Sequence, residues 1–217
     1  HAGVHPALLK SILTANSLHA PSYGTDEWSK KATIEFKKHF GQEIDVFFVF
    51  NGTGANVISA MTMIKSYESL ICSDVSHLNV DECSAPEFHT GGKLIPIKST
   101  NGKISLNELY KIRFRSGDQH SSQIKAISIT QPTELGTVYS ISELKEIVAW
   151  AKQHHLRIHM DGARLSNAIQ HLNCNFRDIT VDLGVDILSF GGTKNGFLFG
   201  ESVIIFNKQL AHNFSFI

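Results

Sequence analysis

The chain has 217 residues, of which 42% are hydrophobic and 18% charged, and its 20 basic residues balance its 20 acidic residues. This length and hydrophobic content allow one sizeable core. The formal net charge is zero, without a long basic or acidic run, so bulk electrostatics gives no support to nucleic-acid or membrane-surface binding. No apolar run reaches the ~20 residues that span a bilayer, and we expect neither a nucleic acid nor a membrane as partner.

The cysteines indicate the cellular compartment, and the two chain ends indicate whether the sequence is part of a longer protein. The chain has an odd number of cysteines, Cys72, Cys83 and Cys174, and no CxxC pair. A disulfide framework is not expected, a cytoplasmic location fits better, and we assign no metal site. The sequence opens on HAGVHP without methionine and stops at HNFSFI after an apolar run. We therefore expect it to be part of a longer protein.

The predicted elements alternate along the chain. The first half contains, in order, HPALLKSILTAN (helix), TDEWSKKATIEFKKHFG (helix), DVFFVF (strand), VISAMTMIKS (helix), SLICSD (strand) and KLIPIK (strand). The second half contains SLNELYKIRFRS (helix), IKAISIT (strand), SISELKEIVAWAKQHH (helix), LRIHMD, DILSFG and ESVIIFN (strands). Thr25 or Asp26 can cap the second helix, and Gly41 can end it. The continuous apolar run DVFFVF is typical of a strand buried in a parallel sheet.

This alternation predicts an α/β fold with a mainly parallel sheet. In such sheets, ligands bind at the carboxyl ends of the strands. Five polar segments each follow a predicted strand: NGTGAN, SDVSH, TQPTELG, MDGAR and GGTKNG. We expect the functional residues among them.

NGTGAN joins a strand to a helix. Backbone amides at the helix start, around Gly52, Thr53 and Gly54, can hold a phosphate. The segment lacks both GxGxxG and GK[ST], which argues against a dinucleotide or a P-loop nucleotide and leaves a smaller phosphorylated cofactor. A plain strand-to-helix turn is the alternative.

Three further segments supply polar groups with two interpretations each. If Asp161 of MDGAR is buried, its carboxylate needs a partner. This partner can be a protonated pyridine nitrogen, or the segment can be an ordinary Asp161–Arg164 pair or a helix cap. His77 of SDVSH can stack on a flat ring or be an ordinary polar residue. TQPTELG offers Gln131, Thr133 and Glu134 as hydrogen-bonding groups, although its proline and glycine also fit a simple loop.

Lys194 decides between these interpretations. A lysine among glycines at a strand end suits an amine that bonds covalently to an aldehyde as a Schiff base. Asp161 precedes it by 33 residues (194 − 161), about one strand–helix–strand unit, so both can face one cleft. Pyridoxal 5′-phosphate (PLP) needs a lysine for its aldehyde, an acid for its ring nitrogen and a helix start for its phosphate. The sequence therefore predicts a PLP site.

The chain resembles the threonine aldolase group of fold-type I PLP enzymes, within the β-eliminating lyase superfamily. The matching stretches run in the family's order: AGVHP, APSYGTDEW, NGTGAN, SHLNVDECSAPE, LRIHMDGARLSNA and SFGGTKNG. The resemblance implies a mainly parallel mixed sheet sandwiched by helices in three layers. It also implies that residues 1–217 are the PLP-binding large domain, with the N-terminal start and the small C-terminal domain missing.

The resemblance implies a role for each candidate residue. Lys194 would bond to the cofactor aldehyde, Asp161 would pair with the ring nitrogen, and His77 would stack on the ring and assist proton transfer. Gly52, Thr53 and Gly54 would hold the phosphate. Arg164 would lie beside the cofactor or the substrate carboxylate, and Tyr23 would reach a site, that of a partner subunit included.

The implied reaction is retro-aldol cleavage of L-threonine or L-allo-threonine, a small-molecule substrate, to glycine and an aldehyde. Another PLP-dependent lyase or an aminotransferase on the same fold, and a PLP-binding fragment without catalysis, are the alternatives. The family's active sites form between subunits, which implies a homodimer or homotetramer. The family's Asp-Asn pair before AGVHP and the small-domain arginine are absent, so we expect an incomplete substrate site.

Overall fold

The computed structural model describes residues 3–217, and the first two residues lie outside this range. One sheet organises the chain, and its strands are β1 (Asp45–Val49), β2 (Glu68–Ser73), β3 (Lys93–Ile97), β4 (Gln123–Thr130), β5 (Arg157–Gly162), β6 (Ile187–Gly191) and β7 (Glu201–Ile205). Their order across the sheet is β1-β7-β6-β5-β4-β2-β3. The pairs among β2 to β6 are parallel, whereas β7 is antiparallel to both β1 and β6. The prediction of a mainly parallel mixed sheet is confirmed.

The expectation that DVFFVF forms a strand buried in a parallel sheet is wrong about where the strand lies. The run does form β1, but β1 is an edge strand that pairs only with the antiparallel β7. Its side chains are half-buried, and Phe48 is 46% exposed. A continuous apolar run indicates strand length, but it cannot distinguish a central strand from an edge strand that other elements cover in part.

Helices connect the strands. Their bounds are α1 (Pro6–Ala15), α2 (Glu27–Phe40), α3 (Gly52–Met63), α4 (His77–Val80), α5 (Ala85–Thr90), α6 (Leu106–Leu109), α7 (Ile141–Gln153), α8 (Leu165–Leu172) and α9 (Lys208–Ala211). Short 3-10 turns lie at Arg177–Ile179, Thr193–Asn195 and Phe214–Phe216. Within the described residues, no helix is long and apolar enough to cross a membrane.

The predicted cap of α2 is present, whereas the predicted length of the helix at α6 is wrong. Asp26 caps α2, because its carboxylate accepts from the amides of Trp28 and Ser29. The stretch SLNELYKIRFRS forms only the single turn α6, so the expected longer helix is wrong. Ile112 and Phe114, two residues apart, both pack against the core, a spacing that an extended segment presents to one side.

The core lies on both faces of the sheet, and successive strand residues alternate between them. Ile71 belongs to one buried cluster, together with residues of α7 and α8, whereas its neighbours Leu70 and Cys72 belong to the other, together with residues of α3. Leu188 and Ile187 of β6 alternate in the same way. The three layers of helix, sheet and helix are therefore as the resemblance implied.

Strand direction brings the polar segments to one edge of the sheet. Only β7 runs opposite to the other strands, so the carboxyl ends of β1, β2, β4, β5 and β6 share an edge. The five segments singled out in the sequence follow these five strands. The first residue of β7, Glu201, reaches the same edge because its strand is reversed.

Candidate active site

A small cleft opens at this edge. Its lining residues come from five elements and their connections: Gly52, Asn56, His77, Asp161, Ala163, Ser189, Lys194 and Glu201. Gly52, His77, Asp161 and Lys194 were all expected there from the sequence. Residues from four separate strand ends thus meet at one place, which is the arrangement needed to surround a single small molecule.

The start of α3 presents unpaired amides to this cleft. Asn51 caps the helix, and its Oδ1 accepts from the amide of Gly54 at 2.7 Å. The amides of Gly52 and Thr53 have no acceptor among residues 3–217, as expected for the first turn of a helix. A Cβ built on Gly52 meets no atom within 4 Å. This end of α3 can therefore donate two amides to an anion, while the Gly54 amide is engaged by Asn51.

Asp161 ends β5 and is almost fully buried, with 4% of its surface exposed. Its Oδ1 accepts from the Ala163 amide at 3.0 Å, and its Oδ2 accepts from Asn56 Nδ2 at 3.0 Å. Among the described residues it makes no ion pair with Arg164, so that alternative is wrong. Arg164 precedes α8, is half-buried and does not line the cleft.

His77 is the first residue of α4 and is held from both its backbone and its ring. Its amide donates to Glu134 Oε1 at 2.8 Å, and its Nδ1 lies 2.9 Å from Glu82 Oε1. The Thr130 hydroxyl also donates to Glu134 Oε1, at 3.0 Å. Burial raises the pKa of both Glu82 and Glu134, because water no longer stabilises their ionised forms.

Lys194 lies in the 3-10 turn between β6 and β7. The Thr193 amide donates to Glu201 Oε1 at 3.2 Å, and Asn195 Nδ2 donates to Gly191 O at 2.8 Å. These bonds fix the turn on both sides of the lysine. Burial raises the pKa of Glu201, and the charge of Lys194 acts in the opposite direction. A carboxylate thus accompanies the lysine in the cleft.

A fully buried histidine lies beneath the cleft. His159 Nδ1 is 2.8 Å from Ser128 Oγ, and its Nε2 is 2.9 Å from Ser189 Oγ. Burial lowers the pKa of this imidazole. A neutral ring has one donor and one acceptor nitrogen, so one serine accepts from it and the other donates to it.

Sequence reasoning missed four polar residues of the site: Asn56, Glu82, Ser189 and Glu201. Asn56 has a detectable signal, since it lies one helical turn after Gly52, on the helix that follows the glycine-rich segment. Glu82 is indistinguishable from the adjacent Asp81 without the structure. Glu201 could have been noticed as an acidic residue that opens a buried strand.

Tyr23 does not line the cleft. Its side chain is fully exposed, and its backbone has φ 63°. Within residues 3–217, no group of three or more histidine, cysteine or acidic residues is arranged to hold a metal ion.

Residues 2–216 match the family model described as beta-eliminating lyase. The chain belongs to the beta-eliminating lyase family. It is 41% identical over 217 residues to a low specificity L-threonine aldolase of a Pseudomonas species, strain NCIMB 10558, covering 100% of this chain and 63% of that protein.

Solved structures of family members and of more distant proteins share the fold. A threonine aldolase of Leishmania major superposes with a TM-score of 0.90 at 28% identity, covering 99% of this chain and 63% of that chain. An aromatic aminotransferase of Pyrococcus horikoshii superposes with a TM-score of 0.68 over 96% of this chain and 56% of that one. Its 16% identity shows the fold alone. The chain thus has the fold-type I architecture and spans 63% of the length of its threonine aldolase relatives.

Threonine aldolases and beta-eliminating lyases of this fold depend on PLP. The cleft has the donor set that this cofactor requires: two free amides at a helix start, a buried carboxylate and a lysine amine. The residues present therefore fit the cofactor.

Proposed function

We propose that this chain provides the cofactor site of a PLP-dependent aldolase, which cleaves L-threonine or L-allo-threonine to glycine and an aldehyde. The observation that carries the proposal is the meeting of Gly52, His77, Asp161 and Lys194 in one cleft. The identity of 41% to a low specificity L-threonine aldolase supports the choice of substrate.

The residues would hold the cofactor as follows. The Gly52 and Thr53 amides, with the Thr53 hydroxyl, bind the phosphate, and Gly54 contributes by fixing the helix start through Asn51. The Asp161 carboxylate would pair with the ring nitrogen, and Lys194 would bond to the aldehyde. His77, whose side chain is one-third exposed, would stack on the ring.

Two proton positions follow from this arrangement. Bound PLP withdraws the electron pair that remains on Cα when the Cα–Cβ bond of the amino acid breaks. The His77 imidazole accepts the proton of the β-hydroxyl group, directly or through a water, so that the O–H electron pair forms the carbonyl of the aldehyde. The buried Asp161 carboxylate keeps a proton on the ring nitrogen because the two groups attract each other.

Arg164 and Tyr23 bear on substrate recognition and assembly. Arg164 is half-buried and follows Ala163 of the cleft in the chain, and we propose that its guanidinium pairs with the substrate carboxylate. Tyr23 is exposed and does not line its own cleft, which favours a role in the site of a second subunit. We therefore propose a homodimer or homotetramer in which sites form between subunits.

Domain assignment and location are part of the same proposal. Residues 1–217 would be the PLP-binding large domain, since they contain a seven-stranded sheet with helices packed on both faces. The relatives are longer, and the substrate site would need contributions from outside this segment. All three cysteines are free thiols, which supports a cytoplasmic location.

The test uses the full-length protein that contains residues 1–217, incubated with PLP, because the substrate site would need contributions from outside this segment. We expect acetaldehyde and glycine from L-threonine and from L-allo-threonine, and a visible absorption band that borohydride removes while labelling Lys194. Lys194→Ala should abolish the band and the activity, whereas Lys145→Ala, a change on the surface of α7, should preserve both. Ammonia and a keto acid in place of glycine and aldehyde would favour another PLP-dependent lyase or an aminotransferase. A band without product would leave a cofactor-binding protein.

A further inference from the structure

Glu82 is a buried carboxylate that contacts two residues of the cleft. It lies between α4 and α5, and its side chain has no exposed surface. Its Oε1 is 2.8 Å from Asn56 Nδ2 and 2.9 Å from His77 Nδ1. Its Oε2 has no hydrogen-bond partner among the described residues. An isolated buried carboxylate is costly, so the contacts at Oε1 are what retain this side chain in the interior.

Asn56 connects Glu82 to Asp161. The two hydrogens of its side-chain amide go to Glu82 Oε1 and to Asp161 Oδ2, at 2.8 Å and 3.0 Å. Because both partners are carboxyl oxygens, this orientation of the amide satisfies them, and the opposite orientation would place oxygen against oxygen. Asn56 therefore sets the position of Glu82 relative to the acid that faces the cofactor ring.

The contact between Glu82 and His77 decides where the imidazole carries its proton. An ionised Glu82 carboxylate has no hydrogen to donate, so its Oε1, which accepts from Asn56, also accepts from His77 Nδ1. The hydrogen of a neutral His77 ring is then on Nδ1. Nε2 keeps its lone pair on a ring that lines the cleft with Lys194.

We propose that Glu82 is a positioning residue that holds His77 in the Nδ1–H form and so makes Nε2 the base of the site. The role of Nε2 as a base rests on the proposed function, whereas the position of the ring hydrogen on Nδ1 does not depend on any reaction. The same contact stabilises the imidazolium that forms when Nε2 takes the proton of the substrate hydroxyl, as a carboxylate does in other histidine-dependent sites.

Other charged groups near His77 do not replace Glu82. Glu134, after β4, accepts from the backbone amide of His77 and from Thr130, not from the ring. Asp161 of β5 is bonded to Asn56 and Ala163. Lys194 faces the same cleft, but an ammonium group only donates. Within residues 3–217, Glu82 is the acceptor that the structure gives to Nδ1.

The first measurement is made on the full-length protein without PLP. Histidine is labelled with ¹⁵N, and long-range ¹H–¹⁵N spectra at about pH 8.5, where an unperturbed imidazole is neutral, report the hydrogen position of each ring. His77→Gln assigns the signal. We expect the Nδ1–H form in the wild type and in Glu82→Gln, which keeps an acceptor oxygen, and a shift towards the Nε2–H form in Glu82→Ala. Asp81→Ala, an exposed neighbour, is the matched control and should leave the signal unchanged.

The second measurement separates the inference from the proposed function. With PLP, Glu82→Ala should lower kcat about 10- to 100-fold, within the contribution of general-base catalysis, while KM changes little because Glu82 does not contact substrate. The kcat of Glu82→Gln should lie between those of the wild type and of Glu82→Ala, since glutamine keeps the hydrogen position but not the negative charge. An Nε2–H wild type would overturn the inference even if Glu82→Ala failed to fold, as would an Nδ1–H form retained in folded Glu82→Ala. An Nδ1–H wild type that produces no aldehyde would instead reject the proposed function alone.

Discussion

Gly191, the last residue of β6, has no room for a side chain. A Cβ at this position would lie 2.6 Å from Ala163 O, 2.6 Å from Glu201 Oε2 and 2.8 Å from Ala163 Cα. The Glu201 carboxylate can rotate away, but Ala163 presents backbone atoms that can move only with the end of β5. Gly191→Ala must therefore separate two paired strands at the point where both enter the cleft.

The cost follows from this geometry. Overpacking of a tightly packed interior by one methyl group costs about 1–3 kcal/mol, and we expect the upper part of this range because two of the three close atoms are backbone. For a domain of this size, each kcal/mol lowers Tm by about 2–4 °C. Gly191→Ala should thus lower Tm by roughly 6–12 °C, since ~3 kcal/mol is lost.

Thermal unfolding followed by circular dichroism, without cofactor, tests this value. Gly52→Ala is the matched control, because a Cβ at Gly52 meets no atom within 4 Å and lies in the first turn of a helix. Its Tm should stay within about 2 °C of the wild type, as for substitutions that meet no neighbour. Equal Tm values for Gly191→Ala and Gly52→Ala would refute the close approach of β5, β6 and Glu201.

Three further outcomes are expected from buried or capping groups. Glu201→Gln should stabilise the fold increasingly as the pH rises above about 4.5, the ordinary value for a glutamate, because burial raises the pKa of Glu201 in the folded protein and the wild type loses stability as this group ionises. A Tm difference that is constant with pH, or that shrinks as the pH rises, would contradict this. Asn51→Ala should lower the free energy of unfolding by about 1 kcal/mol in urea titration, since the Gly54 amide loses its cap, while Asn51→Asp should retain most of it. Tyr139→Phe should cost about 1–3 kcal/mol because the buried Ile104 amide loses its acceptor, and a loss below ~0.5 kcal/mol would show that another group takes over.

The strand ends could be located from the sequence because strand direction alone determines where they meet. Gly52, His77, Asp161 and Lys194 follow apolar runs, and parallel strands bring the residues after such runs to one edge. The mainly parallel sheet and its two helical layers follow from the same alternation. These features depend on periodicity and chain order, which a single sequence contains.

The contacts within the site could not be predicted in this way. Asp161 bonds to Asn56, which is 105 residues away, rather than to its near neighbour Arg164. Glu82 reaches His77 because the chain turns sharply between α4 and α5, where Cys83 and Ser84 have positive φ. The edge position of β1 depends on pairing with β7, which its own residues do not encode. Each of these depends on tertiary packing between distant segments.

The pairing of β1 with β7 also has a consequence for the order in which the chain can fold. Asp45 opposes Ile205, so β1 cannot acquire its neighbour until nearly the whole segment has left the ribosome. Closing so large a loop is slow compared with the local pairing of β2 with β3. Meanwhile the phenylalanines of β1 remain without their final cover, and this strand is where a chaperone would be expected to bind the nascent chain.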